Sequence, residues 1–339
     1  MQLTEVNMLF KIVNKLTILN LSYIQMESKL KAEESNNATI MEFVLTGFSD
    51  VPNLQWILFG IFFIMYLIIL LGNSIIILIT RLDLTLQNPM YFFLGNFSFL
   101  EICFVTVSVP RMLRDIWTQK GNISFLACAT QMCFVLMFGG IECLELTVMA
   151  YDRYVAICNP LKYPIVLSHK VYTQLVAGSW VSGIPVEIGQ TCWIFSRSFC
   201  GSNRINHFYC DIPQILKLAC GDTFMDQMVV YILAVIFLMV PFLLTVASYG
   251  KIISRTPKLS SAKGRAKAFS TCSSHLTVIT LFYGTAAINY LQPKSNQSEG
   301  LGKLLSVFYT ILTPVMNPII YSLRNKSVMV ALKRLLPNY

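Results

Sequence analysis

The stretch MAYDRYVAIC, from Met149 to Cys158, ends a long apolar run with an acid, an arginine and a tyrosine. The residues before it, from Cys128 onward, are mostly apolar. Asp152 and Arg153 therefore stand where a membrane-spanning helix meets water. Charges on such a helix are expensive and are usually functional. What the pair does depends on what the rest of the chain places around it.

The composition indicates an integral membrane protein. Of 339 residues, 55% are hydrophobic and 13% are charged, whereas a soluble domain is about 25% charged. Apolar blocks of about 20 residues, enough to cross a bilayer, recur along the chain. They are Trp56–Thr80, Met90–Pro110, Cys128–Asp152, Val171–Phe195, Met228–Ile253, Ala268–Leu291 and Leu304–Leu323. The sequence predicts an all-α, seven-helix membrane bundle over 52–325, with tails at 1–51 and 326–339.

The distribution of Lys and Arg predicts the orientation. Most of these residues follow the first, third and fifth spans or the last one, as in the basic segment Lys251–Lys267, and only Asp83 and Asp152 oppose them. By the positive-inside rule this side is cytoplasmic. The N-terminal tail is then on the outer side, and the protein is a multi-pass membrane protein. The basic side is explained by topology and contact with lipid, and nothing supports nucleic-acid binding.

The predicted extracellular side carries sequons and cysteines. Asn20 and Asn37 each begin an Asn-x-Ser/Thr glycosylation sequon. Five of the ten cysteines lie on this side, where disulfides are permitted, but spacing alone leaves their pairing open. They are Cys128, Cys192, Cys200, Cys210 and Cys220. His207 and Cys210 have metal-like spacing, but a single His with a Cys available for oxidation does not support a metal site.

Polar side chains also fall inside the predicted helices. Glu101, Glu142 and Glu145 each cost about 2.5–3.5 kcal/mol at the bilayer centre, so we expect them to face the bundle interior. Asn73 and Asn317 can reach the same layer. The layer is either a switch filled with water and a cation or a set of interhelical hydrogen bonds. The first interpretation is preferred for Glu101 and Glu142, and Glu145 is left open.

Three prolines, Pro241, Pro314 and Pro318, interrupt the hydrogen-bond ladder of their helices. Such breaks are tolerated in membranes where neighbours or water satisfy the freed backbone groups. They provide either pivots or static bends.

The motifs resemble those of the olfactory receptor family, within the rhodopsin-like (class A) G-protein-coupled receptors. The resemblance runs from about Glu42 to Lys326. It is carried by PMYFFLGNFSFLE (89–101), MAYDRYVAICNPLKYP (149–164), HFYCD (207–211) with LKLAC (216–220), SYGKI (248–252), KAFSTCSSHL (267–276) and PVMNPIIYSLRNK (314–326). One departure is LQNPMY at Leu86–Tyr91, where the family usually has LHTPMY.

The resemblance implies a switch and a partner. Asp152 would hold Arg153 in the inactive state and release it toward a heterotrimeric stimulatory G protein that raises cyclic AMP. Tyr249 and Tyr321 would support the active state. The resemblance also implies roles for Asn317 and Pro318 in the switch, for Asn73, Glu101 and Glu142 in an ion and water layer, and disulfides Cys128–Cys210 and Cys200–Cys220.

The resemblance further implies a ligand pocket among the third, fifth, sixth and seventh helices. Its expected lining is Met132, Val135, Leu136, Gly139, Gly140, Leu233, Phe237, Ala286, Ala287, Tyr290, Val307 and Thr310. The small residues can equally mark helix packing. Val135 occupies the position where amine receptors carry an aspartate, so no buried counter-ion is expected. The predicted ligand is small, volatile and largely apolar.

Other classes of protein were weighed against a receptor. No nucleophile–base pair, metal set or phosphate loop occurs in the sequence, so no enzyme activity and no cofactor is predicted. A transporter would use buried Glu residues and broken helices, but the two halves of the sequence show no repeat. A receptor of the same fold for a lipid or hormone stays open.

Overall fold

The computed structural model describes residues 42–48, 54–200, 202–256, 262–291, 299–323 and 326–335. Seven long helices form the bundle within these ranges. They are α1 (Gln55–Leu82), α2 (Pro89–Thr118), α3 (Phe125–Cys158), α4 (His169–Phe195), α5 (Phe224–Arg255), α6 (Ala262–Leu291) and α7, which runs through Glu299–Val307, Phe308–Leu312 and Thr313–Leu323. The predicted seven-helix membrane bundle is confirmed.

The helices differ in how plainly they can be recognised as spans. Five are long and apolar enough to cross a membrane by themselves, namely α1, α2, α3, α5 and the Gly302–Ile320 part of α7. Helix α4 is 27 residues long but includes Glu187 and Gln190. In α6 the apolar stretch identified among the described residues, His275–Ile288, is shorter. These two helices belong to the bundle because they pack against α3.

Local signals set the beginnings of α2 and α3. The side chain of Asn88 accepts a hydrogen bond from the backbone N–H of Tyr91, and Pro89 lies in the first turn of α2. Ser124 accepts from the N–H of Ala127 at the start of α3. Asn and Ser are preferred caps because their side-chain oxygens satisfy N–H groups that have no partner inside the helix.

Two of the three prolines are preceded by widened turns. Val235–Met239 precedes Pro241, and Phe308–Leu312 precedes Pro314, and both segments have π-helical hydrogen bonding. Proline has no N–H to donate and its ring crowds the preceding turn, so the ladder shifts to the wider pattern there. The interruptions expected at Pro241 and Pro314 are therefore present as π turns.

A small sheet covers one end of the bundle. The central strand β1 (Glu42–Leu45) pairs antiparallel with β2 (Asn122–Ser124) and parallel with β3 (Arg204–Ile205). We call this the sheet end, and the opposite end, which carries Asp152 and Arg153, the Asp152 end. The sequence analysis predicted none of these strands, because two to four residues are too few to show a period.

Short helices flank the bundle at both ends. Tyr163–Val166 follows α3, and Ile212–Leu216 lies in the α4–α5 loop. Helix α8 (Lys326–Leu335) occupies the segment predicted as a tail. Its Val328 and Ala331 are buried, and Arg334 lies 3.6 Å from Asp83 at the end of α1. The apolar face of α8, rather than this exposed ion pair, holds it against the bundle.

Helices α1 and α7 approach closely at Gly72. A Cβ atom added at Gly72 would lie 2.8 Å from Cβ of Pro318. Pro318 is a rigid ring inside α7 and cannot rotate away. Only glycine therefore permits this distance between the two helices.

The first prediction concerns this contact. We expect Gly72→Ala to destabilise the protein by about 2 kcal/mol, because overpacking a close contact costs about 1–3 kcal/mol. The measurement is thermal unfolding in lipid nanodiscs. Gly60→Ala in the same helix is the control, since no atom lies within 4 Å of an added Cβ there. Equal melting temperatures for the two variants would contradict the prediction.

Candidate functional site

A cavity opens inside the bundle toward the sheet end, bounded by α3, α4, α5, α6 and α7. Its volume is about 110 Å³. Engineered protein cavities of about 150 Å³ bind benzene, so the space suits a molecule of that scale. Predicted residues that line it are Val135, Leu136, Gly139, Gly140, Leu233, Phe237 and Ala286.

Glycines on α3 create much of this space. No atom lies within 4 Å of a Cβ added at Gly139. A Cβ added at Gly140 would lie 3.8 Å from both Oε1 of Glu187 and Cδ1 of Phe237. These two positions are therefore part of the cavity wall and not merely packing residues.

Four predicted lining residues lie elsewhere. Met132 is fully buried in an apolar cluster beside Cys128 and Cys210, and Ala287 packs against an apolar cluster of the bundle without lining the cavity. Val307 and Thr310 also lie off the cavity, and the Thr310 hydroxyl donates to the carbonyl of Ser306. The widened turn of α7 alters which side chains face inward, so Tyr309 lines the cavity instead. The side chain of Tyr290 lies outside the described residues.

The cavity also has walls that the sequence analysis missed. They are Phe104, Cys143, Glu187, Gln190, Ile212, Val230, Ala234, Leu238, Phe282 and Tyr309. Glu187 corrects the expectation that no buried counter-ion would be found, because its side chain is a buried carboxylate at the cavity wall. The sequence does contain a signal for it, because Glu187 is a single acidic residue inside the predicted span Val171–Phe195. Only Glu101, Glu142 and Glu145 were predicted to be acids inside helices.

The α4–α5 loop, residues 196–223, covers the cavity from the sheet end. Both disulfides implied by the resemblance are present, and they join Cys128 to Cys210 and Cys200 to Cys220. The N–H of Cys210 donates to Oε1 of Gln131 on α3 at 3.0 Å. The Cys128–Cys210 disulfide and this hydrogen bond attach the loop to α3. They therefore place the helix Ile212–Leu216 so that Ile212 lines the cavity. On the chain-entropy relation these crosslinks contribute about 4 and 3 kcal/mol.

His207 ties the same loop to α7. Its Nε2 lies 3.0 Å from Oγ of Ser306, and its Nδ1 faces the N–H of Tyr209 at 3.4 Å. Lys303 of α7 donates a hydrogen bond to the carbonyl of Gly47 at 2.9 Å, so the segment after β1 is also attached to α7. Burial, together with the nearby positive charge of Lys303, lowers the pKa of His207 to about 3. The ring is therefore neutral at physiological pH.

The polar layer in the middle of the bundle brings three of the predicted side chains together. The amide of Asn317 donates to Oε1 of Glu101, and the carboxyl groups of Glu101 and Glu142 face each other. Among the described residues, Oε2 of Glu101 and Oε1 of Glu142 have no hydrogen-bond partner. Asn73 instead donates to the carbonyl of Ile69 in its own helix.

Glu142 and Glu145 have different neighbours although both lie on α3. Oε1 of Glu145 accepts a hydrogen bond from Nε1 of Trp180 on α4 at 3.2 Å. Positions three apart on a helix are offset by about 60°, which is enough to direct Glu142 to α2 and Glu145 to α4. Glu145 therefore takes part in an interhelical hydrogen bond, which is the second of the two interpretations of the polar layer.

At the Asp152 end, the charge pair is buried and has a third member. Nη1 of Arg153 lies 3.2 Å from Oδ2 of Asp152, and the hydroxyl of Tyr163 donates to Oδ1 of Asp152 at 2.7 Å. Burial and the adjacent carboxylate raise the pKa of Tyr163, so its hydroxyl stays protonated. Tyr163, in the quoted segment NPLKYP, was not singled out from the sequence.

Further hydrogen bonds connect α3, α5 and α6 between the cavity and this end. The Tyr249 hydroxyl lies 2.6 Å from Nδ1 of His275, which joins α5 to α6. Tyr283 of α6 donates to the carbonyl of Cys143 at 2.9 Å. Oγ1 of Thr147 donates to the carbonyl of Pro241 at 3.0 Å. Tyr321, the other tyrosine implied by the resemblance, has its side chain outside the described residues.

Comparison with solved structures identifies the class of the fold. The chain matches a crystal structure of squid rhodopsin with a TM-score of 0.65, over 82% of this chain and 84% of that one. Sequence identity is 18%, so this likeness concerns the fold alone. The fold is that of rhodopsin-like receptors.

Sequence comparison gives the family. The profile of the olfactory receptor family matches residues 62–338. Olfactory receptor 10AG1 of Homo sapiens is 67% identical over 296 residues, which are 87% of this chain and 98% of that one. Olfactory receptor 10A7 of Homo sapiens is 50% identical over 299 residues, covering 88% and 95%. The chain belongs to the olfactory receptor family. It is therefore a multi-pass receptor of the plasma membrane and not an enzyme.

The second prediction concerns His207. Protonation is easier in the unfolded chain, where the pKa is near 6.5, than in the folded protein, where it is about 3. Its contribution to stability is therefore complete above about pH 6.5 and falls by about 1.4 kcal/mol for each pH unit below that value. The measurement is the difference between wild type and His207→Gln in unfolding free energy from pH 7.5 to 5. A difference that does not change with pH would contradict the prediction.

Proposed function

We propose that the protein is an odorant receptor that binds small, volatile, largely apolar molecules in the cavity and activates a stimulatory, olfactory-type G protein to raise cyclic AMP. The observation that carries the proposal is a mostly apolar cavity at one end of the bundle, with a buried Asp152–Arg153 pair at the other. Apolar walls with few polar groups are typical of small-molecule sites.

The proposed topology places the sheet end outside the cell. The tail at 1–51, with the sequons at Asn20 and Asn37, is then extracellular, and 326–339 is cytoplasmic. The basic segment Lys251–Lys267 and the residues after Arg153 face the G protein. The excess of Lys and Arg on that side supports this orientation.

The proposed signal starts at cavity residues shared by α3, α5 and α6. A ligand that contacts Leu136, Phe237 and Phe282 changes the packing among these helices. Tyr283, next to Phe282, donates a hydrogen bond to the carbonyl of Cys143 on α3. The π turn before Pro241 gives α5 a point at which it can bend. A ligand shifts the receptor only by binding one arrangement better than the other.

At the Asp152 end, activation in this proposal separates Arg153 from Asp152. The described arrangement, with Asp152 also bonded to Tyr163, corresponds to the inactive state. Arg153 then exchanges its contact with the Asp152 carboxylate for a contact with the G protein. This exchange becomes easier when the hydrogen bonds that hold Asp152 are weakened. Glu101, Glu142 and Asn317 are proposed to act as a polar layer between the two ends.

The third prediction tests this arrangement through Tyr163. We expect Tyr163→Phe to raise basal cyclic AMP about fivefold, because one hydrogen bond of about 1 kcal/mol that favours the inactive state is lost. Basal cyclic AMP is measured at matched surface expression. Tyr151→Phe is the control, since Tyr151 is next to Asp152 in α3 and is exposed. Equal basal signals in both variants would count against a role for Tyr163.

The fourth prediction tests the proposed function as a whole. Cells that express the full chain are given a panel of volatile compounds, and cyclic AMP is recorded. We expect a response in wild type and none in Arg153→Ala at equal surface expression. Gly139→Leu, which fills the cavity, is expected to lower potency about tenfold or more, because the ligand and the new side chain compete for one volume.

The matched control for Gly139→Leu is Gly178→Leu. Gly178 is an exposed helical glycine, and an added Cβ there also meets no atom within 4 Å. The control variant should respond as wild type does. A response in Arg153→Ala, or equal potency in Gly139→Leu and wild type, would overturn the proposal.

A further inference from the structure

Glu187 introduces a carboxylate into a cavity whose other walls are mainly apolar. It lies on α4 with 6% of its surface exposed, and Gln190 lines the cavity one turn further along the same helix. No other acidic or basic side chain lines the cavity among the described residues. A ligand in this space therefore meets one charged group.

The carboxylate has no partner within the described part of the protein. Its Oε2 accepts no hydrogen bond and no ion pair reaches it. Other buried acids have close polar neighbours: Glu101 accepts a hydrogen bond from Asn317, Glu142 faces Glu101, Glu145 accepts from Trp180, and Asp226 pairs with Arg197. An isolated carboxylate at membrane depth is costly and marks a functional position. Glu187 therefore lacks the structural role that its counterparts have.

Glu187 faces a part of the cavity wall that carries no side chain. Across from it, α3 presents Gly140, and even a single added carbon there would contact Oε1 at 3.8 Å. The same carbon would lie 3.8 Å from the ring of Phe237. The acid and an aromatic side chain of α5 therefore face the same side of α3, and a polar head group and its apolar body can be held together.

We propose that Glu187 is the ligand anchor of this receptor, and that the preferred ligand is a small organic amine whose ammonium group donates to the Glu187 carboxylate. The side-chain carbonyl oxygen of Gln190 accepts a hydrogen bond from a second N–H of the ammonium group, and the hydrocarbon part contacts the apolar walls. The inference rests on the proposed function, since it uses the same cavity, and it narrows the ligand class.

The charge distinguishes an amine from other volatile compounds. An alcohol can donate a hydrogen bond to a carboxylate, but it leaves the negative charge uncompensated. An ammonium group both donates and neutralises the charge. The position at which amine receptors carry their aspartate holds Val135 here, and Glu187 supplies the carboxylate from a different helix.

The fifth prediction is tested by binding without a G protein. The full chain in lipid nanodiscs is titrated with cyclohexylamine and with cyclohexanol, which share one ring and differ in the polar group. Binding is followed by the rise in unfolding temperature. We expect the amine to bind wild type at least about tenfold more tightly than the alcohol, because hydrogen bonds to charged partners are the stronger ones.

Three variants test the anchor. Glu187→Gln should lose the preference for the amine while it still binds cyclohexanol, and Glu187→Asp, which keeps the charge, should retain part of that preference. Glu145→Gln is the matched control, since Glu145 is equally buried but faces Trp180 and does not line the cavity. It should show the same amine preference as wild type.

The inference is overturned if folded wild type does not bind cyclohexylamine, if it binds both compounds equally, or if Glu187→Gln keeps the preference. The proposed function fails by a different measurement, the lack of any Arg153-dependent cyclic AMP response to volatile compounds. Response to alcohols with no amine preference would leave the receptor function standing and remove the role of Glu187.

Discussion

An acidic side chain on a membrane-spanning helix has to face the interior of the bundle, and most of the functional features follow from this constraint. Lipid offers a carboxylate neither hydrogen bonds nor counter-charge. Helix α3, which carries Glu142, Glu145 and Asp152, is accordingly placed between α2, α4 and α5. The acids that face inward then create the polar layer, the contact with Trp180 and the buried Asp152–Arg153 pair at the end of the helix.

The two ends of the receptor are held together by different kinds of bonds. At the sheet end, a disulfide to α3, a three-stranded sheet and the bond between His207 and Ser306 hold the α4–α5 loop over the cavity. At the Asp152 end, the connections among the described residues include side-chain hydrogen bonds and the ion pairs Asp152–Arg153 and Asp83–Arg334. Covalent bonds limit motion, whereas polar contacts can be exchanged for others at modest cost. The arrangement suits a ligand site that stays formed and a signalling end that changes.

Much of the candidate site could be predicted from sequence, but not all of it. The predicted α3 positions Val135, Leu136, Gly139 and Gly140 line the cavity, because a regular helix presents residues three and four apart on one face. The predicted positions Val307 and Thr310 do not line the cavity, since the π turn before Pro314 changes which side chains of α7 face inward. Glu187 was missed because its environment depends on which side of α4 meets the cavity. No pattern within α4 alone reveals that side.

The sequence by itself determined the number of spans and the family, because these depend on hydropathy and on contiguous motifs. Only the tertiary structure decided which side chains meet. It brought Tyr163 to Asp152, separated Glu145 from Glu142, and placed Glu187 opposite Gly140 at an apolar cavity. These contacts join residues on different helices or segments, and they are set by how the helices rotate and pack, which no single stretch of sequence encodes.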